Sequence, residues 1–178
     1  MGPWWLAAFG LVSLAGIIIL FNALVAARNQ VRAAWSDIDV QLTRRHDLVP
    51  QLVSTVKAYA RHEQATLEAV ASLRARALAA ASPAHKAGAE DALARGVTQL
   101  LALEERYPDL KANANFLQLQ RDLVAIEDHL QYARRFYNGA VRDLNNHIER
   151  FPSLLVARLA RFRPAEFYRA DGAVEAPV

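Results

Sequence analysis

The sequence predicts an all-α protein: an N-terminal transmembrane helix followed by an elongated, antiparallel, coiled-coil-like helical bundle. Three observations predict it. No charged side chain occurs from Pro3 to Ala27. Heptad-spaced apolar seams run through most of the remaining chain. No strand-like alternation of apolar and polar residues stands out anywhere.

The opening stretch comes first. Residues 4–27 at ~1.5 Å rise per residue extend ~36 Å, enough to cross a hydrocarbon core with some tilt. A secretory signal would have a basic n-region and a shorter apolar run of ~7–15 residues. A soluble core helix of this length would carry a polar face. Trp4 and Trp5 stand at one end of the run, where indoles favour the membrane–water interface. Arg28 and Arg32 stand just past the other end, with Arg44 and Arg45 beyond. Clustered arginine resists translocation, so the expected topology leaves residues 1–3 as a short exterior tail and the body in the cytoplasm. Gly10, Ser13 and Ala15–Gly16 are small but form no clean small-xxx-small pair, so they signal dimerisation only weakly.

The body, residues 28–163, reads as helix. Val31, Trp35, Ile38, Leu42, Arg45, Val49, Leu52, Val56, Tyr59 and Glu63 step by four and three along one seam, which resumes through Val70, Leu73 and Ala77. Pro50 removes one backbone donor, which predicts a kink. The unbroken phase favours a kinked continuous helix; the alternative is a break near His46, with Asp47 capping a new helix and Pro50 in its first turn. Pro83 and Gly88 punctuate a run of small residues, which predicts a loop over 82–88 and then a short helix bearing Leu93, Val97, Leu100 and Leu101. Tyr107 is biased away from helix by Pro108, and Asp109 is the expected cap of the next helix. That last long helix has the clearest seam, from Phe116 through Leu123, Leu130, Tyr137 and Leu144 to Phe151. One residue along lies a polar seam that includes Gln120, Glu127, Arg134 and Asn145. This polar seam faces either a second helix of the same chain or another subunit. Pro152 ends the pattern, and residues 164–178 read as a mostly irregular tail whose last ten residues are expected to be disordered.

Composition excludes several chemistries. The chain has no cysteine, so disulfides, thiolate metal sites and a cysteine nucleophile are all absent. The formal net charge of +3 does not demand a nucleic acid, and no nucleic-acid-binding motif accompanies the arginines. Six serines (Ser13, Ser36, Ser54, Ser72, Ser82 and Ser153) lie in no recognisable nucleophile turn, and no glycine-rich phosphate loop occurs. His46-Asp47, His62-Glu63 and Glu127-Asp128-His129 pair potential metal ligands. Adjacent residues diverge by ~100° on a helix, and no Glu-x-x-His pair occurs, so no metal or cofactor is expected.

Two groups of residues remain as candidates. Arg45, Glu63, Glu127 and Arg134 sit on or beside the apolar seams, where an acid and a base on facing helices form a structural polar network that fixes register or oligomer state. The bland alternative is a set of exposed ion pairs worth ~0–1 kcal/mol each. The second group is the basic amphipathic end, with Phe151, Leu155, Leu159 and Phe162 on one stripe and Arg158, Arg161 and Arg163 around it. It fits a membrane surface, the end of its own bundle, or a neighbouring subunit.

Three blocks carry a resemblance: "ARNQVRAAWSDIDVQLTRRHDLVPQLVSTVKAYARHE" (27–63), "LEERYPDLKANANFLQLQ" (103–120) and "ARRFYNGAVRDLNNHIERFPSLLVA" (133–157). In this order they resemble the LemA family of bacterial membrane proteins, from Phe21 to about Phe167. A tyrosine is common in that family where Phe21-Asn22 stands here, and the tail after Phe167 is idiosyncratic. The resemblance implies one transmembrane helix, a short exterior N-terminus and a helical-bundle body. It implies no established biochemical activity. Some members belong to the membrane-organelle machinery of magnetotactic bacteria, which points to membrane organisation. The expected function is therefore a non-enzymatic scaffold in the inner membrane that self-associates and shapes the membrane or recruits partners. Its expected partners are the lipid bilayer, further copies of itself and other membrane proteins. The alternatives are a monomeric adaptor in a membrane stress or proteolysis pathway, and a metal-dependent sensor or enzyme using His46, His62 or His129.

Overall fold

The computed structural model describes residues 4–169, and those residues contain helices and no strand. In order they are α1 (Trp4–Tyr59), α2 (Gln64–Ala79), α3 (Pro83–Leu101), a 3-10 turn (Ala102–Glu105), α4 (Pro108–Lys111), α5 (Ala114–Glu149) and α6 (Ser153–Leu159). The all-α expectation holds. The expected exterior tail at residues 1–3 and the last ten residues, for which disorder was expected, lie outside the described residues, Arg169 apart.

The chain forms two compact units. The first takes α1 up to Ser36 together with Arg135–Glu166; the second takes Asp37–Arg134 and, of the described residues, Phe167–Arg169.

In the first unit, Leu24, Val31 and Ala34 of α1 are buried, as are Val141, Leu144 and Ile148 of α5. The Trp35 and Tyr137 rings meet with centroids 5.3 Å apart. Ala27 of α1 shares a groove with His147 of α5, so the two segments run antiparallel. α5 ends at Glu149. A cis Phe151–Pro152 peptide follows, and Ser153 then donates to the His147 and Arg150 carbonyls at 2.6 and 2.8 Å.

The second unit holds a contiguous core that includes Val49, Leu52, Val56, Leu67, Val70, Leu93, Leu100 and Phe116. Burying one such aliphatic side chain is worth ~1.5–3 kcal/mol, so these few residues outweigh any surface ion pair. Here too α1 and α5 run antiparallel: Arg45 meets Glu127, and Asn113 donates to the Tyr59 hydroxyl at 2.9 Å. α2 and α3 approach closely at Gly96, where an added Cβ would lie 2.9 Å from Leu73 Cδ1.

α1 runs unbroken through Pro50. A proline there has no N–H for the carbonyl four residues earlier, that of His46. Arg74 of α2 supplies the missing donor, with Nε donating to the His46 carbonyl at 2.8 Å. The tertiary fold thus satisfies the group that Pro50 would orphan.

Three expectations need correction. The helix expected beneath the seam that runs from Val31 to Glu63 and resumes through Val70, Leu73 and Ala77 is interrupted, because α1 stops at Tyr59 and α2 starts at Gln64. The turn of residues 60–63 contains no glycine or proline. The loop placed over 82–88 is in fact the first part of a 19-residue helix. Ser82 is its N-cap, accepting from the His85 N–H at 3.3 Å, and Pro83 occupies the first turn, where its missing N–H costs nothing. The long α5 is capped by Asn113, whose Oδ1 accepts from the Phe116 N–H at 2.9 Å, and not by Asp109, which lies in the short α4.

Candidate functional site

A cluster of charges lies inside the second unit. Arg45 of α1 sits on the seam and turns inward with it, as does the adjacent His46. Both reach Glu90 of α3, which is 0% exposed. The distances are 3.3 Å from Arg45 Nη1 to Glu90 Oε2 and 2.7 Å between His46 Nε2 and Glu90 Oε1. The second Arg45 nitrogen, Nη2, donates to Glu127 of α5. One guanidinium therefore bridges α3 and α5 from α1. At the next residue of α3, Asp91 accepts from Arg134 of α5 at 2.8 Å. The Arg134 guanidinium also stacks over the Tyr168 ring, 5.1 Å from its centroid.

The protonation energetics follow from this packing. Burial pushes the Tyr168 hydroxyl up to about 12; Arg134 and Arg45 pull it down, while Glu90 and Asp91 add to the rise. Burial alone would lower the Arg134 pKa, but Tyr168, Asp91 and Glu127 outweigh it and hold the group above the ordinary arginine value. Both groups are thus fixed in one state at neutral pH: a neutral phenol and a charged guanidinium.

Chemically this is a clasp. Each Glu90 oxygen has a partner, and Glu127 accepts from Arg45. A buried pair of this kind adds little net stability over an apolar filling, but removing one member strands the other. Beside the clasp an open groove of about 500 Å³ is lined by Arg45, Val97, Leu101, Leu123 and Glu127, among others. Among the described residues no three His, Asp or Glu side chains converge to hold a metal ion. His62 and His129 are exposed, and His46 is engaged with Glu90.

Of the four residues marked from sequence, Arg45, Glu127 and Arg134 share this cluster and Glu63 does not. Arg45 and Glu127 meet directly. Arg134 takes the neighbouring pair with Asp91. Glu63 is elsewhere: it accepts from the Tyr107 hydroxyl at 3.2 Å and pairs with Arg106 at 3.0 Å, tying the α1–α2 turn to the turn before α4.

The first unit presents a different surface. From Trp4 to Ile19 the side chains of α1 are exposed apart from Gly16, as is Phe21, while Leu24 is fully buried. Trp4 and Trp5 are exposed at the start. Arg28 stacks over the Phe162 ring at 5.0 Å, and Phe162 meets Phe21 edge-on at 6.1 Å. Arg32 is exposed. Of the other terminal candidates, Leu155, Arg158, Leu159 and Arg161 are exposed.

A sequence model of the LemA family matches residues 34–178. The chain belongs to the LemA family. It is 22% identical over 191 residues to "Magnetosome protein MamQ 2" of Paramagnetospirillum magneticum, covering 93% of this chain and 70% of that protein. It is 26% identical over 160 residues to "Protein LemA" of Metamycoplasma hominis, covering 84% of this chain and 72% of that protein. α1 carries a stretch long and apolar enough to cross a membrane. Together these make it a membrane-associated helical protein.

Sequence reasoning missed four members of the clasp in this LemA-family protein: His46 as a structural partner, Glu90, Asp91 and Tyr168. A signal for Glu90 was present. Glu90, Leu93, Val97 and Leu100 step by three, four and three, so a carboxylate occupies an apolar seam just as Arg45 does. Reading 82–88 as a loop hid the helix on which that seam begins.

Proposed function

We propose that this LemA-family protein is a non-enzymatic, membrane-anchored helical scaffold that self-associates and organises or shapes the inner membrane, or recruits partners to it. The observation that carries the reading is the exposed apolar surface of α1, Trp4–Phe21, in a chain whose inward charges are committed to holding helices together. Eighteen residues of helix cover ~27 Å, close to the ~30 Å hydrocarbon core of a bilayer. Exposed apolar side chains on this scale are unfavourable in water and well solvated in lipid. Similarity to magnetosome proteins supports a role in organising a membrane compartment. Exposed Arg28, Arg32 and Arg44 favour a cytoplasmic body with the N-terminus outside.

The test of self-association is the mass of the full chain in lipid nanodiscs, read by mass photometry. A discrete multiple of the protomer is expected. A single copy per disc would contradict self-association and favour a monomeric adaptor. A reporter fused after Val178 should read as cytoplasmic; an exterior readout would reverse the proposed orientation.

A further inference from the structure

The segment after α5 has a face that nothing in its own unit covers. Ser153, Val156 and Ala157 of α6 are buried. On the other side, Phe151, Leu155 and Leu159 are 74%, 59% and 85% exposed and stand four residues apart. From Arg150 to Ala165 there are four arginines (Arg150, Arg158, Arg161 and Arg163) and no acidic residue. All four are exposed. Large apolar side chains beside a cluster of arginines, with Glu149 and Glu166 at its two ends, match the surface of an anionic membrane better than water.

The level at which this face sits is fixed from both ends. At its start, Asn146, His147 and Arg150 share a groove with Ala23, Ala26 and Ala27 of α1. At its finish, Phe162 packs on Phe21 and Arg28. Both ends therefore lie beside the stretch Phe21–Arg28, where α1 passes from exposed apolar side chains to its first charge. That stretch is seven steps long, ~10 Å along the axis, comparable with the ~5–10 Å depth at which interfacial helices bury their apolar side.

The turn that ends α6 is built to hold this placement. The Phe162 N–H donates to the Ala157 carbonyl at 2.9 Å and the Arg161 N–H to the Arg158 carbonyl at 3.2 Å, the pairing of a Schellman cap. Its left-handed position usually takes glycine, yet here it is Arg161, with φ 56°. A cation thus occupies a site where glycine would be less strained.

We propose that Phe151–Arg163 lies in the headgroup layer of the leaflet that α1 leaves at Arg28, with Phe151, Leu155 and Leu159 at the acyl boundary and Arg158, Arg161 and Arg163 on anionic lipid phosphates. This rests on α1 crossing the membrane. It makes the protein a two-point reader of the bilayer: α1 fixes position, and the α6 surface responds to anionic lipid.

The absence of cysteine permits unambiguous labelling. Full-length Leu155→Cys and Leu159→Cys, each carrying an environment-sensitive fluorophore, are placed in phosphatidylcholine–phosphatidylglycerol nanodiscs. Phe9→Cys reports the span, and Ser72→Cys, exposed in the second unit, reports water. Quenching is read with aqueous iodide and with lipids brominated near the glycerol end of the chain for the α6 labels, or near the chain terminus for Phe9. The α6 labels should be quenched by bromolipid several-fold more than the Ser72 label and protected from iodide. The combined Arg158→Gln, Arg161→Gln, Arg163→Gln variant should lose most of that bromolipid quenching. Iodide access equal to that at Ser72, with Phe9 still quenched by lipid, would overturn the α6 placement and leave the span intact. Iodide protection without bromolipid quenching would assign the face to a second copy and also overturn it. A Phe9 label untouched by lipid would remove the span, and the α6 placement with it.

Discussion

The two units solve opposite problems with the same secondary structure. The second unit puts charge inside: Arg45, His46 and Glu90 are buried and pair with one another. The first puts hydrocarbon outside: Trp4, Phe9, Ile18 and Leu159 face outward, and its arginines form a rim. A helix interior tolerates charge only when each partner is satisfied, whereas a helix exterior tolerates hydrocarbon only when its solvent is not water. Burial alone does not identify a core residue in this protein. The solvent on the other side of the helix has to be named first.

Arg45→Ala leaves Glu90 buried and short of one partner, so a loss of about 3–5 kcal/mol is expected in denaturant unfolding of the full chain. Arg158→Ala, in the exposed rim of the first unit, should stay within ~0.5 kcal/mol. Equal effects at the two positions would mean that Arg45 is not an enclosed partner of Glu90.

Leu14→Asp applies the converse test. Asp near the centre of a membrane helix costs ~2.5–3.5 kcal/mol of insertion free energy. The expected outcome is reduced membrane insertion of full-length protein, measured by fractionation, with the unfolding of the second unit unchanged. A soluble core helix would instead lose stability at this position.

These first two contrasts were legible in the sequence because each rests on a residue out of place. Arg45 interrupts an apolar seam, and residues 4–27 lack any charge. The rest was hidden by punctuation that misleads. Pro83 breaks helices in general but opens α3 here, because Ser82 caps the turn. The break after Tyr59 has no glycine or proline, and the α2 seam resumes in phase, so composition carries no trace of it. The partner of Pro50 was equally invisible: only the fold shows Arg74 reaching the His46 carbonyl. Tyr168 belongs to an irregular segment with no periodicity to mark it as buried.

A finer contrast comes from pH. The Tyr168 hydroxyl titrates at about 12 in the folded chain, against ~10 when unfolded. Between those values the unfolded state has already lost the proton that the folded state keeps, so stability falls as pH rises. The contribution is fully present below pH ~10 and is lost as pH climbs through ~12. Tyr168→Phe should flatten this part of the alkaline unfolding curve. A curve identical to that of the unsubstituted chain would show that the phenol does not titrate from a buried state.

The smallest expected effect lies in the first unit. Arg161→Gly relieves the left-handed backbone and should raise stability by ~1 kcal/mol, while weakening the salt-sensitive hold on anionic bilayers. A gain in stability without any change in lipid response would separate the cap from the membrane contact.

The most direct measurement is alkaline carbonate extraction of membranes that contain the full chain. Retention in the pellet, together with release of a variant bearing Asp at Leu14 and Ile18, is expected if the outward hydrocarbon of α1 is solvated by lipid. Release of the unsubstituted chain into the supernatant would contradict the anchor on which the scaffold reading stands.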